Sequence, residues 1–228
     1  MSKHISSAFN EDLQMISIKI SEMGGISEEM LKNSLKALYE SNIDLANSVI
    51  ISDQKIDNLE KDIEELVIKT IALRNPVADD LRQVFSAIKI SAALERIGDY
   101  SKNIAKRTLI ISNEHISKLR QPIFDLGTRV CEQLHKALNS FEDKNHLLAK
   151  EIWHDDFKID KMYEILFQEL KVHLEKKSNV NVASNLMFVA KNLERIGDHT
   201  THISEMIYYV ITGSQMDSER PKIDFTKF

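Results

Sequence analysis

The chain has few of the residues that interrupt helices or cross-link a fold. Its 228 residues include three prolines, six glycines and one cysteine. Glycine and proline are frequent in tight turns, so their scarcity disfavours a β-rich fold, and the abundance of Ile, Leu, Lys and Glu predicts an all-α fold. Cys131 has no second cysteine with which to form an internal disulfide, as is typical of proteins of the reducing cytosol.

The chain also lacks a strong charge of either sign and any long hydrophobic run. It has 30 Lys and Arg against 35 Asp and Glu, a formal net charge of −5, which disfavours a nucleic-acid partner. No stretch approaches about 18 apolar residues, and the N-terminal residues contain no apolar core of signal-peptide length. We therefore expect a soluble, cytoplasmic protein that binds no nucleic acid and has no membrane span.

A six-residue string, LERIGD, occurs twice, at Leu94–Asp99 and at Leu193–Asp198. The two copies are 99 residues apart, and upstream of them further matches follow at a separation of 103 residues. Those matches pair Gly24 with Gly127, Leu35 with Leu138, Asp53 with Asp156, and Asp57 with Asp160. A repeat of this length predicts two copies of one structural unit of about 110 residues.

Each copy is predicted to contain three helices from its hydrophobic periodicity. The helices cover about residues 5–49, 52–74 and 78–112 in the first copy, and about 115–150, 152–176 and 180–211 in the second. Gly24-Gly25 is expected to be a weak point, and Asn75-Pro76 and Gly213 are expected to be stops. The predicted domains are three-helix bundles at 5–113 and 114–213, followed by a tail at 214–228.

Each copy carries two pairs of carboxylates, and the members of a pair are four residues apart. Side chains at that spacing lie on one face of a helix. The pairs are Asp53 with Asp57 and Glu95 with Asp99 in the first copy, and Asp156 with Asp160 and Glu194 with Asp198 in the second. Because the two helices of each copy form an antiparallel hairpin and the pairs lie at similar heights, we expect the pairs to face each other across a groove.

Four carboxylates in one groove repel one another and raise one another's pKa. Divalent or trivalent cations that accept oxygen ligands relieve this repulsion. The simpler alternative is that these acids only solvate helix surfaces, with Arg96 paired to Asp99 three residues away. Because the pattern is duplicated at matched heights, metal binding is the favoured interpretation.

Three segments of the sequence resemble the PhoU family of bacterial phosphate uptake. They are NPVADDLR at Asn75–Arg82, LERIGDYSKNIAK at Leu94–Lys106, and NLERIGDHTTHISE at Asn192–Glu205. The resemblance extends from about Phe9 to Gly213. It implies a PhoU-like tandem duplication of two three-helix bundles, with multinuclear metal clusters bound through paired acidic motifs on the bundle surface.

The resemblance implies one metal site in each copy. The first consists of Asp53, Asp57, Glu95, Asp99 and Asn103, and the second of Asp156, Asp160, Glu194, Asp198 and His202. The family often has Asn four residues after the last Asp, so His202, close to His199, departs from the pattern and favours Fe or Zn at the second site. The metal is expected to be Fe, Zn, Mn or Mg, and the two sites need not hold the same one.

The function that the resemblance implies is regulation, without catalytic residues or an organic cofactor. PhoU-like proteins act at the phosphate ABC transporter and its sensor histidine kinase, and they keep the phosphate-starvation response off when phosphate is plentiful. The implied partners are the transporter ATPase, the kinase and a second copy of the chain. The membrane is reached only through those partners.

Two other classes of function are left open by the residues. A metal-dependent hydrolase or oxidase would need an open coordination position and a general base. Glu132 with His135 and Glu151 with His154 have the spacing of a di-iron bundle, but both lie in one copy, whereas that site draws on four helices. The other class is a metal-free helical adaptor.

Overall fold

The structure is a computed structural model that describes residues 2–114, 117–175 and 179–216. Within those ranges the chain forms seven helices and no strand, which confirms the predicted all-α fold. In chain order the helices are α1 (Ser2–Glu40), α2 (Ile43–Arg74), α3 (Asp79–Ile111), α4 (Ser117–Glu142), α5 (His146–Asp155), α6 (Phe157–Glu175) and α7 (Val180–Thr212). The helix start predicted at 115, the helix end predicted at 176 and the tail from 217 onward lie outside the described residues.

The first helix ends earlier than predicted. Ser41 has a positive φ of 53°, and the Asn42 side chain caps α2 by accepting a hydrogen bond at 3.0 Å from the Leu45 N–H. The prediction of one helix from 5 to 49 was therefore wrong. A residue in the left-handed region followed by an Asn cap ends a helix without proline or glycine, which is why the break left little signal.

The second copy repeats this break and adds another. Lys144 has a φ of 49°, and the Asn145 side chain caps α5 by accepting two hydrogen bonds at 3.1 Å from backbone N–H groups. Asp156 then separates α5 from α6. The boundary predicted between the helices 115–150 and 152–176 was therefore wrong, and a predicted metal ligand lies at the junction of two helices.

Asn75 and Gly213 end helices as predicted. Both residues lie in the left-handed region, with φ of 48° and 73°. The Asn75 N–H donates to the carbonyl oxygen of Ile71 at 3.1 Å, and the Gly213 N–H donates to that of Tyr209 at 2.9 Å. These caps satisfy carbonyl groups that the end of a helix leaves unpaired.

Gly24 does not weaken α1, contrary to the prediction. A Cβ atom at this position would lie 2.5 Å from Leu138 Cδ2 of α4, and a Cβ at Gly127 of α4 would likewise collide with Leu35 of α1. The absence of a side chain therefore lets the two helices approach closely. The repeat pairs Gly24 with Gly127 and Leu35 with Leu138, so each contact is the counterpart of the other. The helices α1 and α4 therefore cross about an approximate twofold axis.

The two copies share one continuous hydrophobic core. The third helix of one copy, α3, packs along the last helix of the other, α7. Tyr100 and His199 occupy equivalent positions in the repeat, and their rings meet across this contact with centroids 5.7 Å apart. Arg107 extends the contact by donating to Asn185 Oδ1 at 3.1 Å and by lying 4.4 Å from the centre of the Phe188 ring.

None of the helices in the described part of the chain is both long and apolar enough to span a bilayer.

Candidate metal centres

The glycine of each LERIGD string brings two acid-bearing helices together. A Cβ at Gly98 of α3 would lie 2.7 Å from Ile56 Cδ1 of α2, and a Cβ at Gly197 of α7 would lie 3.3 Å from Ile159 Cγ2 of α6. The backbones therefore approach more closely than two larger residues would allow. The result is two grooves. We call the surface between α2 and α3 groove 1, with the predicted acids Asp53, Asp57, Glu95 and Asp99, and the surface between α6 and α7 groove 2, with the predicted acids Asp156, Asp160, Glu194 and Asp198.

A lysine that the sequence analysis did not identify joins the two sides of groove 1. Lys102 Nζ of α3 donates to Asp53 Oδ2 of α2 at 2.5 Å and lies 2.7 Å from Asp99 Oδ1. Partial burial lowers the pKa of Lys102, but the hydrogen bonds to the two carboxylates outweigh it and raise the pKa to about 12. For the same reason the pKa of Asp99 is lowered although burial opposes the shift, with Lys102 as the main stabilising partner.

The remaining acids of groove 1 are crowded. Burial raises the pKa of Glu95 to about 7, and the charge of Asp99 adds to that shift while Arg96 opposes it. The pKa of Glu60 is also raised, first by burial and then by Glu64 and Asp57. Glu60 was not among the predicted site residues, although it extends the acidic wall of the groove. Crowding of this kind favours a bound cation.

Groove 2 has a different floor. Asp156 is buried, and its Oδ1 accepts hydrogen bonds from Gln133 Nε2 at 3.0 Å and from Thr201 Oγ1 at 2.9 Å. Thr201 occupies the position that Lys102 holds in the first copy, and Gln133 the position of Met30. Neutral hydrogen-bond donors thus hold the buried aspartate of groove 2, whereas an ammonium group holds that of groove 1.

The wall of groove 2 also differs from that of groove 1. Lys191 Nζ lies 2.6 Å from Glu194 Oε2, whereas the first copy has Ala92 at the equivalent position. The pair of Arg195 Nη1 and Asp198 Oδ2, 3.8 Å apart, repeats the pair of Arg96 and Asp99 in groove 1. Tyr163 stands where the first copy has Glu60, and its pKa is raised by burial and by the charge of Glu194. Groove 2 therefore has a phenol at this position, where groove 1 has a carboxylate.

The position four residues after each motif also differs between the copies. Asn103 is half-buried one turn beyond Asp99. His202 Nδ1 lies 3.3 Å from Glu205 Oε2, and the other oxygen of Glu205 accepts a hydrogen bond from Trp153 Nε1 at 3.0 Å. The described conformation therefore pairs His202 with a carboxylate on its own helix.

His199 lies between the two copies. Its pKa is lowered to about 4, first by burial and then by the charges of His202, Arg96 and Arg195. The ring is therefore neutral near pH 7. A neutral imidazole has a nitrogen lone pair available for a metal or a hydrogen-bond donor.

The donor atoms suit a metal, but their described conformations do not form a coordination sphere. No group of three or more His, Cys, Asp and Glu side chains in the described ranges is arranged to hold a metal ion. Asp53 and Asp99 turn towards Lys102, and Asp156 turns towards Gln133 and Thr201. The carboxylate oxygens fit Mg, Mn, Fe or Zn chemically. Because these oxygens already bond other side chains, metal binding requires the carboxylates to leave their present partners.

The two Glu-x-x-His motifs of the oxidase alternative do not meet. His135 Nδ1 lies 3.0 Å from Glu28 Oε1 of α1. His154 packs edge-on against Trp153, with ring centroids 5.0 Å apart. The described side chains of these motifs therefore do not build a di-iron centre of the bundle type.

Comparison with known proteins relates the whole chain to one family. The family model of the PhoU domain matches residues 20–108 and 123–207. A phosphate-specific transport system accessory protein PhoU homolog of Rhizobium meliloti (strain 1021) is 43% identical, over 98% of this chain and 95% of its own length. A protein of the same description from Clostridium acetobutylicum is 35% identical, over 92% of this chain and 96% of its own length.

Solved structures give the same result for the fold. The crystal structure of PhoU from Pseudomonas aeruginosa superposes with a TM-score of 0.87 at 29% identity, over 90% of this chain and 100% of that one. The phosphate transport system regulatory protein PhoU from Streptococcus pneumoniae superposes with a TM-score of 0.85 at 25% identity, over 92% and 100% of the two chains. The fold is thus that of the PhoU crystal structures.

Proposed function

Because the chain belongs to the PhoU family, with two PhoU domains in tandem, we propose that it is an accessory protein of a phosphate transport system and a negative regulator of the phosphate-starvation response. The observation that carries this proposal is the near-full-length similarity to relatives described as phosphate-specific transport system accessory proteins. The proposed partners are the transporter ATPase and a sensor histidine kinase, which it contacts from the cytoplasm. It acts by binding and carries out no catalysis.

Metal binding is the second part of the proposal. Groove 1, completed by Asn103, and groove 2, completed by His202, each bind metal through their carboxylates. A bound cation would neutralise the crowded acids and link two helices of one copy. The raised pKa of Glu95 supports this role because it reports the electrostatic cost of burying that carboxylate beside Asp99. The chain's own part is to hold these acids between neighbouring helices and to position the surface that partners contact.

The regulatory role is tested by complementation. A bacterium that lacks its own PhoU and carries a phosphate-starvation reporter should regain repression in high phosphate when this chain is expressed. The variant E95A/D99A/E194A/D198A should lose both bound metal and repression. E65A/E169A is the matched control, because both glutamates are exposed and lie outside the grooves.

Two results would separate the parts of the proposal. Failure of the wild-type chain to repress, although it is expressed and folded, would contradict the regulatory role. Full repression by a folded, metal-free quadruple variant would contradict a regulatory role for the metal and favour the adaptor alternative.

A homodimer is the remaining part of the proposal. It is supported by large apolar side chains that are exposed where α2 turns into α3, among them Leu73, Val77 and Phe85. Light scattering after size exclusion should give twice the chain mass of 26.2 kDa. The variant V77E/F85E should elute as a monomer, and a wild-type monomer at micromolar concentration would contradict the proposal.

A further inference from the structure

The two grooves differ at the position that Lys102 occupies in groove 1. In groove 1 the ammonium group of Lys102 bonds one carboxylate from each of two helices, Asp53 and Asp99. Charge-assisted hydrogen bonds of this kind are stronger than neutral ones, and about four-fifths of the Lys102 side chain is shielded from water, since its exposed fraction is 20%. Groove 1 therefore contains a cation that belongs to the chain itself.

Groove 2 has no lysine at the equivalent position. Thr201 stands there, is almost fully buried, and offers only a hydroxyl group. Its hydrogen bond to Asp156 is a neutral donor's bond to a carboxylate, so no formal positive charge comes from this position. A cation that binds Asp156 Oδ1 therefore competes with a hydroxyl and an amide group. The ammonium group of Lys191 pairs with Glu194 within α7 and does not join two helices as Lys102 does.

A buried oxygen at the floor of groove 2 points independently to a ligand. Gln133 has an exposed fraction of 5%, and its Nε2 donates to Asp156 Oδ1 at 3.0 Å. Its Oε1 is buried and accepts no hydrogen bond from the described part of the chain. Buried acceptors are nearly always satisfied, and an amide oxygen beside a carboxylate is satisfied by a hard cation or by its bound water.

We propose that Lys102 is a built-in cation of groove 1, and that groove 2, with Thr201 and Gln133 in the equivalent positions, is the tighter divalent-cation site. The inference rests on the metal binding proposed above and adds an order between the two grooves. A divalent ion must displace a doubly bonded ammonium group from groove 1, whereas in groove 2 it also gains the oxygen of Gln133. After the sequence duplication, the carboxylates of groove 1 are thus neutralised by a lysine of the chain, and those of groove 2 by a bound metal ion.

Equilibrium dialysis with Mn²⁺ alone tests this order on the full chain purified without chelator. Disabling groove 2 in D156N/D198N should weaken the tightest Mn²⁺ binding by about tenfold or more, which is about 1.4 kcal/mol. Disabling groove 1 in D53N/D99N should change it by less than about twofold. The opposite order, or equal losses, would overturn the inference and leave the proposed metal binding intact.

Exchanging the distinguishing residues tests the role of the lysine. In the D156N/D198N background, K102T should raise Mn²⁺ affinity in groove 1 by about tenfold. K106T is the control, because Lys106 is exposed one turn further along α3 and should leave the affinity unchanged. The reverse change, Q133M/T201K, should abolish tight binding in groove 2. An unchanged affinity in K102T would overturn the role of the lysine.

Failure of the proposed metal function gives a different pattern. If neither the wild-type chain nor any variant binds Mn²⁺, both the metal proposal and the order of the grooves are wrong. The built-in cation is then judged by melting without metal, where K102T should lower the midpoint by several degrees and K106T should not. Equal melting of K102T and K106T would overturn that part as well.

Discussion

Replacing Gly98 with alanine tests how the LERIGD helix is held against its neighbour. The new Cβ would lie 2.7 Å from Ile56 Cδ1, and Ile56 is almost fully buried, so its side chain has little room to move. Overpacking of this kind costs about 1–3 kcal/mol, whereas replacing glycine by alanine inside a helix gains about 1 kcal/mol. We expect G98A to lower the free energy of unfolding by about 1 kcal/mol as the difference of these two effects.

The equivalent substitution in the other copy is the internal comparison. A Cβ at Gly197 would lie 3.3 Å from Ile159 Cγ2, a tight contact that a shift of a few tenths of an ångström relieves. The gain in helix propensity should then offset the contact, so G197A should stay within about 0.5 kcal/mol of the wild-type chain. Urea unfolding followed by circular dichroism measures both variants.

A double-mutant cycle decides whether the proposed contact is the cause. Ile56→Val removes the Cδ1 atom that the new Cβ would meet, and the next nearest atom, Ile56 Cγ2, lies at 3.6 Å. G98A should therefore cost less in the I56V background, with a coupling energy of about 1 kcal/mol. Strictly additive effects of G98A and I56V would refute the reasoning.

Three further predictions follow from caps and charges. Asn42→Ala and Asn145→Ala should each lower the free energy of unfolding, measured in urea, by about 1 kcal/mol, because each removes an N-cap. The controls N42S and N145S keep a capping side chain and should unfold like the wild-type chain. Lys102→Met should cost about 1 kcal/mol at pH 7 after solvent screening. Because the pKa of Lys102 is raised from 10.5 to about 12 on folding, the stability lost in K102M should be constant below pH 10.5 and should shrink as the pH approaches about 12. Unfolding curves recorded across this pH range measure it. The thiol of Cys131, whose pKa burial raises to about 12, should not react with a disulfide reagent at pH 8 until urea unfolds the chain.

The fold was predictable from the sequence because its main signals are local or repeated. Hydrophobic periodicity predicts helices, and the twin LERIGD strings predict the duplication. The break at Ser41 left little signal, because it depends on one left-handed residue and an Asn cap without glycine or proline. Gly24 wrongly suggested a weak point in the helix, because glycine is needed there for the close approach of α1 and α4 and not for a turn.

The carboxylates of the grooves were predictable, but their partners were not. Spacing along a helix selects the acids, since four-residue steps stay on one face. Gln133 reaches groove 2 from α4, and no local pattern connects it to Asp156. Lys102 could have been found from the sequence, because it aligns with Thr201 in the repeat. A position that changes charge between two copies indicates where the copies differ.

Anomalous scattering from crystals grown with Mn²⁺ tests the central claim, that the duplicated grooves are metal centres of a PhoU-family regulator. We expect an anomalous peak in groove 2 within coordination distance of Asp156, Glu194 or Asp198, and a weaker peak or none in groove 1 beside Lys102. Absence of a peak from both grooves, in protein that was purified without chelator and that binds Mn²⁺ elsewhere or not at all, would contradict it.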